Sequence, residues 1–332
     1  MTIKLDASTL ISSLPAMLGY QVHDSIVAVM LKRHGADLEA VECVLRADLD
    51  NSVDDIATMA AKTGRTARNT AAAVLIAVAG PQHHGHAGDA LDALRNALMD
   101  ADIPVRGRFS VATTAAPAIW MDVDTGQRGI TAPWTDSPVT AEAVVAGKVI
   151  ANSRDELVAE FDQAAHTVAA TAVEGLLPLV GAGEELAAVF AGSGAVSDDL
   201  VGLLATAIAN KRLRDTHLVL GLDHADLATG IWIQIARRMR GQARLEAVAI
   251  AAAYAYMTGD SVRAGIAVDI ASTEAQEVGL EEPMLALLLN TALRQGVEPK
   301  KIREIILIAA GPKTFPPPPG WESTTAGDDP EA

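Results

Sequence analysis

The chain contains a single cysteine, Cys43, few aromatic residues (3%) and no long apolar run. One cysteine excludes a disulfide framework and any zinc or iron–sulfur site built from several thiolates. The scarcity of aromatic side chains disfavours a base-stacking surface for nucleic acid. The longest apolar runs, residues 74–79 and 247–256, are much shorter than the roughly 18–20 residues of a membrane-spanning helix. The sequence therefore predicts neither a disulfide scaffold nor a membrane protein.

Basic residues are also scarce, with 26 Lys and Arg against 42 Asp and Glu and a net charge of −16. Acidic residues outnumber basic ones in both halves of the chain, so we do not expect binding to nucleic acid through overall charge. The first ten residues contain no apolar segment typical of a signal peptide. We therefore expect a cytoplasmic protein, and the unpaired cysteine agrees with a reducing compartment.

The first third of the chain alternates between strand-like and helix-like segments. Apolar, β-branched runs predict strands at residues 25–32, 42–48, 71–79, 105–112 and 118–124. Capping residues and helical spacing predict helices at residues 51–63 and 89–101. This order indicates an α/β domain with a mixed sheet over residues 1–135.

Helical patterns dominate the remainder of the chain. Ser137-Pro138 and the capping box that begins at Ser153 open two helices. Further helices are predicted at residues 164–173, 184–191, 198–213, 225–240, 244–257, 261–277, 283–295 and 300–309. We therefore expect an all-α domain over residues 136–310, followed by a flexible, Pro-rich, acidic tail at 311–332.

The loop that leads into the first strand contains candidate ligand-binding residues. Asp24 and Ser25 could present a carboxylate and a hydroxyl to a ligand at the sheet edge, next to Gly19. The same side chains could equally satisfy local backbone donors where the chain enters the strand. Both interpretations remain open from the sequence.

Histidines and aspartates suggest a metal site. His83, His84 and His86 follow a predicted central strand, where ligands bind in open α/β sheets. Asp122 and Asp124 are predicted on one face of a strand and, with Asp48 at another strand end, could hold Mg²⁺. The alternative interpretations are a solvated histidine-rich loop for the histidines and an acidic strand end for the aspartates. The sequence identifies no cofactor.

Two motif regions resemble a known family. The first comprises residues 14–20 (LPAMLGY) and 24–29 (DSIVAV), and the second comprises 143–147 (AVVAG) and 153–157 (SRDEL). Both are similar to the actinobacterial and actinophage domain of unknown function 4192. Residues 256–260 (YMTGD) are similar to the helical C-terminal region of that family. The resemblance covers most of the chain and implies a fold and a lineage, without a reaction.

The sequence departs from the family pattern at two places. Val22 and His23 stand where relatives usually have a proline before the Asp-Ser pair. The region around Trp120, Trp134 and Ser137 lacks the cysteines that many relatives have there. A metal role for that region therefore does not transfer to this chain.

Two functional hypotheses follow from these patterns. The first is a non-enzymatic binding or interaction protein, with a protein partner or self-association through an apolar surface on residues 225–310. It is motivated by the absence of a convincing catalytic motif in a well-patterned chain. The alternative is a metal-dependent hydrolase or nuclease that uses Asp48, Asp122, Asp124 and the His83–His86 stretch.

Overall fold

A computed structural model describes residues 6–34, 38–51 and 70–310. Its sheet has the strand order β2-β1-β3-β4-β5-β6, with β3 and β4 parallel and every other neighbouring pair antiparallel. The predicted mixed sheet is thereby confirmed. The strands are β1 (Ser25–His34), β2 (Leu38–Asp48), β3 (Thr70–Val78), β4 (Val105–Val111), β5 (Ile119–Asp122) and β6 (Arg128–Ile130).

Twelve helices of the described residues surround and follow this sheet, and none of them is long and apolar enough to cross a membrane. The later helices form the predicted all-helical region. The helices are α1 (Ala7–Leu18), α2 (His84–Asp100), α3 (Pro138–Val145), α4 (Arg154–Ala159), α5 (Leu177–Phe190), α6 (Asp198–Ile208), α7 (Lys211–Leu220), α8 (Ala225–Arg237), α9 (Gly241–Met257), α10 (Ser261–Val278), α11 (Met284–Arg294) and α12 (Pro299–Ala310).

The central strand β3 is buried on both faces, as its continuous apolar sequence predicts. Its alternate residues enter two hydrophobic clusters. Leu75 packs in the cluster covered by α2, together with Leu91. Ile76 belongs to the larger cluster, which also contains Leu14 of α1 and Trp232 of α8. The apolar core is therefore continuous from the sheet into the helical region, and the division at residues 135 and 136 remains a prediction.

Helix α1 was not predicted from the sequence, and Pro15 lies inside it. Asp6 caps its first turn by accepting a hydrogen bond from the Thr9 amide. Gly19 ends it in the left-handed conformation, with φ at 80°, and donates its amide to the Pro15 carbonyl. Proline lacks an amide hydrogen and disfavours a helix interior. Burial of one face of α1 on the sheet offsets this cost.

Residues 164–173, predicted as a helix, instead form an irregular segment that lies over the helical region. Its amides at Ala164, Val168 and Thr171 donate to carbonyls at the end of α8 and within α6. Gly202 of α6 makes this close approach possible, because a Cβ there would lie 2.3 Å from the Thr171 hydroxyl. Tertiary hydrogen bonds thus replace the helical ones in a segment with good helix propensity.

Most of the predicted helix at residues 51–63 and the whole tail at 311–332 lie outside the described residues. The predicted helix at 198–213 is two helices, α6 and α7, because Asn210 interrupts it. The Asn210 side chain accepts hydrogen bonds from the amides of Arg212 and Leu213, so it caps the second helix.

Candidate functional site

Asp24 connects three segments where β1 begins and where β2 and β3 end. Its Oδ1 accepts a hydrogen bond from the Gly80 amide at 3.1 Å and lies 2.9 Å from His83 Nδ1. Its backbone carbonyl accepts from the Leu49 amide at 3.0 Å. The His83 side chain, then the Gly80 amide, holds the pKa of Asp24 below its usual value. The backbone of Asp24 is left-handed, with φ at 36°, so these contacts maintain a conformation uncommon for a non-glycine residue.

The structure brings His83 to Asp24, but it places the other two histidines differently. His83 Nδ1 is buried, and its contact with Asp24 departs from the alignment of a good hydrogen bond, so the attraction is mainly electrostatic when the imidazole is protonated. His83 Nε2 lies 3.9 Å from Asp50. His84 is exposed and His86 is half-buried. The stretch predicted as a loop is helical, because α2 begins at His84 directly after a short 3₁₀ turn.

Ser25 is buried and its hydroxyl is used within the fold. Its Oγ donates to the His23 carbonyl at 2.5 Å and accepts from Arg46 Nε at 2.9 Å. Arg46 in turn forms an ion pair with Asp48. The hydroxyl of Ser25 therefore organises the start of β1 in this structure.

Asp122 and Asp124 lie at the end of β5, and they do not share a strand face as the sequence predicted. The strand ends at Asp122, whose Oδ1 accepts from the amides of Asp124 and Thr125 in a turn. Asp124 instead pairs with Arg108, with 3.0 Å from Nε to Oδ2. Arg108 is buried and also pairs with Asp92 of α2. The carboxylate of Asp124 thus joins the β5 turn to β4 and α2.

Within the described residues, no group of three His, Cys, Asp or Glu side chains has an arrangement that could hold a metal ion. The metal-ligand set of His83, His84, His86, Asp122 and Asp124 stays a prediction. Cys43 is half-buried, and burial raises the pKa of its thiol to about 11.

A cavity of about 500 Å³ lies where the sheet-associated segments meet the helical region. We call it the junction cavity. One wall consists of residues 16–19 at the end of α1, Ala143 of α3, and residues 146–150. The opposite wall contains Glu160, one face of α8, and residues 258–263 between α9 and α10. Of the residues predicted to bind a ligand, Gly19 lines this cavity.

Backbone contacts hold the first wall of the junction cavity together. The Gly19 carbonyl accepts from the Ala151 amide, and the Ala151 carbonyl accepts from the Gln21 amide, both at 2.9 Å. Just beyond Ala151, α4 begins with a variant of the predicted capping box, in which the Glu156 side chain reaches Asn152 and not Ser153. The Ser153 hydroxyl accepts from the Glu156 amide, and the Glu156 carboxylate accepts from the Asn152 amide.

Four glycines leave much of the cavity wall without side chains. Gly19, Gly147 and Gly259 have left-handed φ values of 80°, 73° and 81°, and each lies where a helix ends. Gly230 lies within α8. At all four positions a Cβ would meet no heavy atom within 4 Å, so the space in front of the backbone is open. Such positions allow a ligand to approach main-chain donors and acceptors closely.

The charged residues of the junction cavity fall into two groups. Arg263 is engaged by Glu160, with two contacts of 2.8 Å, and by Asp260, which also caps α10. Lys148, Asp226 and Arg237, by contrast, have no ion-pair partner among the residues that the structure describes. Single charges on opposite walls are therefore available to a ligand.

Three of the five segments that resemble the family in sequence meet at this cavity. Residues 14–20, 143–147 and 256–260 are far apart in the chain, and each contributes residues to its walls. Sequence analysis did not identify the α8 face as part of a site, because this face contains no motif. Its signal is a repeat of cavity-lining residues at Asp226, Gly230, Ile233 and Arg237, the spacing of one helix face.

Fold and site together define an α/β protein with a mixed β-sheet, an all-helical second part, and a polar cavity where these two parts meet. The family model described as Domain of unknown function (DUF4192) matches residues 8–300. The chain therefore belongs to the DUF4192 family, as the motifs predicted. No curated protein and no solved structure matches it.

Proposed function

We propose that this protein is a non-enzymatic, cytoplasmic binding protein whose ligand occupies the junction cavity. The observation that carries the proposal is the convergence of three family segments, distant in sequence, around a single cavity. A purely structural role for these segments would not require an open space between them.

The size and chemistry of the cavity support a small-molecule ligand. A volume of about 500 Å³ lies within the range of roughly 300–1,000 Å³ that is typical of small-molecule sites. Its walls combine apolar side chains such as Met17, Ile150 and Ile233 with charged groups and exposed main chain. Such a combination provides apolar contact area together with a few groups that orient a ligand.

Gly230→Leu is expected to abolish binding, because the leucine side chain would project into the open cavity from the α8 face. A panel of amino acids, short peptides, nucleotides and sugar phosphates would be screened by thermal unfolding. A ligand at 100 times its Kd stabilises the native state by about 2.7 kcal/mol. We expect at least one member to raise the Tm of the wild-type protein and to have no effect on Gly230→Leu.

Gly230→Ala is the matched control for this experiment. Alanine adds only a methyl group, and it stabilises a helix interior by up to about 1 kcal/mol relative to glycine. This variant should keep the ligand response of the wild-type protein. The proposal is wrong if no compound shifts the wild-type Tm, or if the shift survives in a correctly folded Gly230→Leu protein.

A protein partner is the second candidate function, and exposed apolar side chains on the last helices favour it. Ile308 is 78% exposed and Leu288 is 61% exposed. The other exposed apolar residues in the region predicted for an interaction surface are Leu227, Val278, Leu280, Met284, Leu287, Ile305 and Leu307. Exposed apolar side chains mark an interaction surface where they form a contiguous patch. We expect native mass measurements to show self-association of the wild-type protein. Ile308→Glu should weaken this association, because it places a charge on the exposed apolar surface. A strictly monomeric wild-type protein would contradict self-association.

A further inference from the structure

The cavity-lining face of α8 has opposite charges at its two ends. Asp226 lies in the first turn of the helix and Arg237 is its last residue. Arg237 lies eleven positions after Asp226, so their Cα atoms are about 16 Å apart along the helix. Between them lie Gly230 and Ile233, which present open backbone and an apolar side chain to the cavity.

Neither of these charges is neutralised by another side chain in the described part of the chain. Asp226 has no ion-pair partner there, and Arg237 uses its Nε to donate to the Asp162 carbonyl at 2.8 Å. The guanidinium retains two further nitrogens that can bind a carboxylate. Arg263, by contrast, is already engaged by Glu160 and Asp260.

The preference for each end of a ligand comes from these two side chains and not from helix dipoles. Helices α1, α3 and α9 end at the cavity walls, whereas α8 and α10 begin there, so helix ends of both signs face the cavity. The Asp226 carboxylate favours a protonated amine beside it, and the Arg237 guanidinium favours an anionic group.

We propose that the ligand is a short peptide with free ends, bound along α8 with its amino group at Asp226 and its carboxylate at Arg237. This inference rests on the proposed function of the junction cavity. Extended chain covers at most about 3.3–3.6 Å per residue, so a gap of about 16 Å corresponds to roughly four to five residues. The exposed main chain at Gly147 and Gly259 can pair with peptide amides, and Ile233 and Met17 can contact peptide side chains.

The probe is a synthetic mixture of tetrapeptides with free ends, compared with the same mixture after N-acetylation or C-amidation. We expect the free-ended mixture to raise the Tm of the full-length protein and each blocked mixture to bind at least tenfold more weakly. Asp226→Asn should bind the free-ended and the N-acetylated mixtures with similar affinity. Arg237→Gln should bind the free-ended and the C-amidated mixtures with similar affinity. Arg237→Lys keeps the charge, so it should still bind the free-ended mixture more tightly.

Asp199→Asn and Arg212→Gln are the matched controls, because both residues lie outside the cavity. They should discriminate between free and blocked peptides as the wild-type protein does. If a different compound class binds and Gly230→Leu abolishes that binding, the proposed function stands and the peptide inference is wrong. The inference also fails if Asp226→Asn and Arg237→Gln leave both discriminations unchanged.

Discussion

Arg244→Met is expected to lower the free energy of unfolding by about 3 kcal/mol. Arg244 of α9 is 5% exposed, and its guanidinium pairs with both carboxylate oxygens of Glu274 in α10. It also donates to the carbonyls of Phe161 and Ala236. Removing one partner of a buried pair costs about 3–5 kcal/mol, and the partial exposure of Glu274 places this case at the lower end.

Urea denaturation of the wild-type and variant proteins measures this loss, and Arg212→Met is the control. Arg212 is exposed and its side chain has no partner within the described residues, so its replacement should change stability by less than about 0.5 kcal/mol. Adding Glu274→Gln to Arg244→Met should recover part of the loss, because it removes the uncompensated carboxylate. Equal stabilities for Arg244→Met and Arg212→Met would show that the buried network contributes nothing.

This network also bears on the junction cavity. Arg244 connects α9 to α8 through Ala236, to α10 through Glu274, and to the segment after α4 through Phe161. Two of these elements, α8 and α10, contribute residues to the cavity wall, and Glu160 is adjacent to Phe161. The geometry of the proposed site therefore depends on a buried arginine that does not itself line the cavity.

Local patterns were sufficient to predict most of the secondary structure. The β-branched run from Ser25 forms β1, and the apolar run that ends at Val78 forms the doubly buried strand β3. The Ser153 cap forms in the structure, with the return bond of Glu156 made to Asn152, because both hydrogen bonds join residues within four positions in sequence. Strong short-range signals of this kind do not depend on the rest of the fold.

The elements that sequence analysis missed depend on contacts that are distant in sequence. Strand β6 has three residues and exists because Ile130 and Arg128 pair with β5. Residues 164–173 have a helical composition, yet their amides bind carbonyls of α6 and of the α8 end. Single-sequence propensity contains no information about such partners.

The candidate site also depends on contacts between residues that are distant in sequence. The sequence singled out Asp24 and His83 separately, and only the fold reveals that they contact each other. The motifs containing Gly19 and Gly147 were recognised as resemblances, but their convergence on one cavity requires the packing of α1 against α3. Asp226 and Arg237 belong to no motif, so their role as opposite ends of one surface could not be read from the sequence.

The second large expected effect is a loss of stability as the pH falls from about 6.5 towards 5, caused by His217. This side chain is 1% exposed, and its Nδ1 lies 2.6 Å from the Leu213 carbonyl. Its Nε2 is buried without a hydrogen-bond partner in the described structure and faces Gly183 of α5. Burial lowers the pKa of His217 below its usual value of 6.5, because the charged form has no solvation there.

The sign of the effect follows from proton binding. Between the lowered pKa of the folded state and 6.5, the unfolded chain binds a proton at His217 that the folded protein does not bind. The free energy of unfolding therefore decreases as the pH falls, by up to about 1.4 kcal/mol per pH unit. Asp24 and Asp124, two carboxylates with lowered pKa values, lose their stabilisation only at lower pH, below about 4.

Urea denaturation at pH 7, 6 and 5 measures this slope, and His217→Leu should flatten it, since leucine has a comparable size and does not titrate. His224→Gln is the control, because His224 is exposed and its replacement should leave the slope of the wild-type protein intact. An unchanged slope in His217→Leu would assign the acid sensitivity to another group. A flattened slope would show that the packing of α7 against α5 depends on a neutral imidazole, so that protonation of one buried ring weakens the helical region without any change in its apolar contacts.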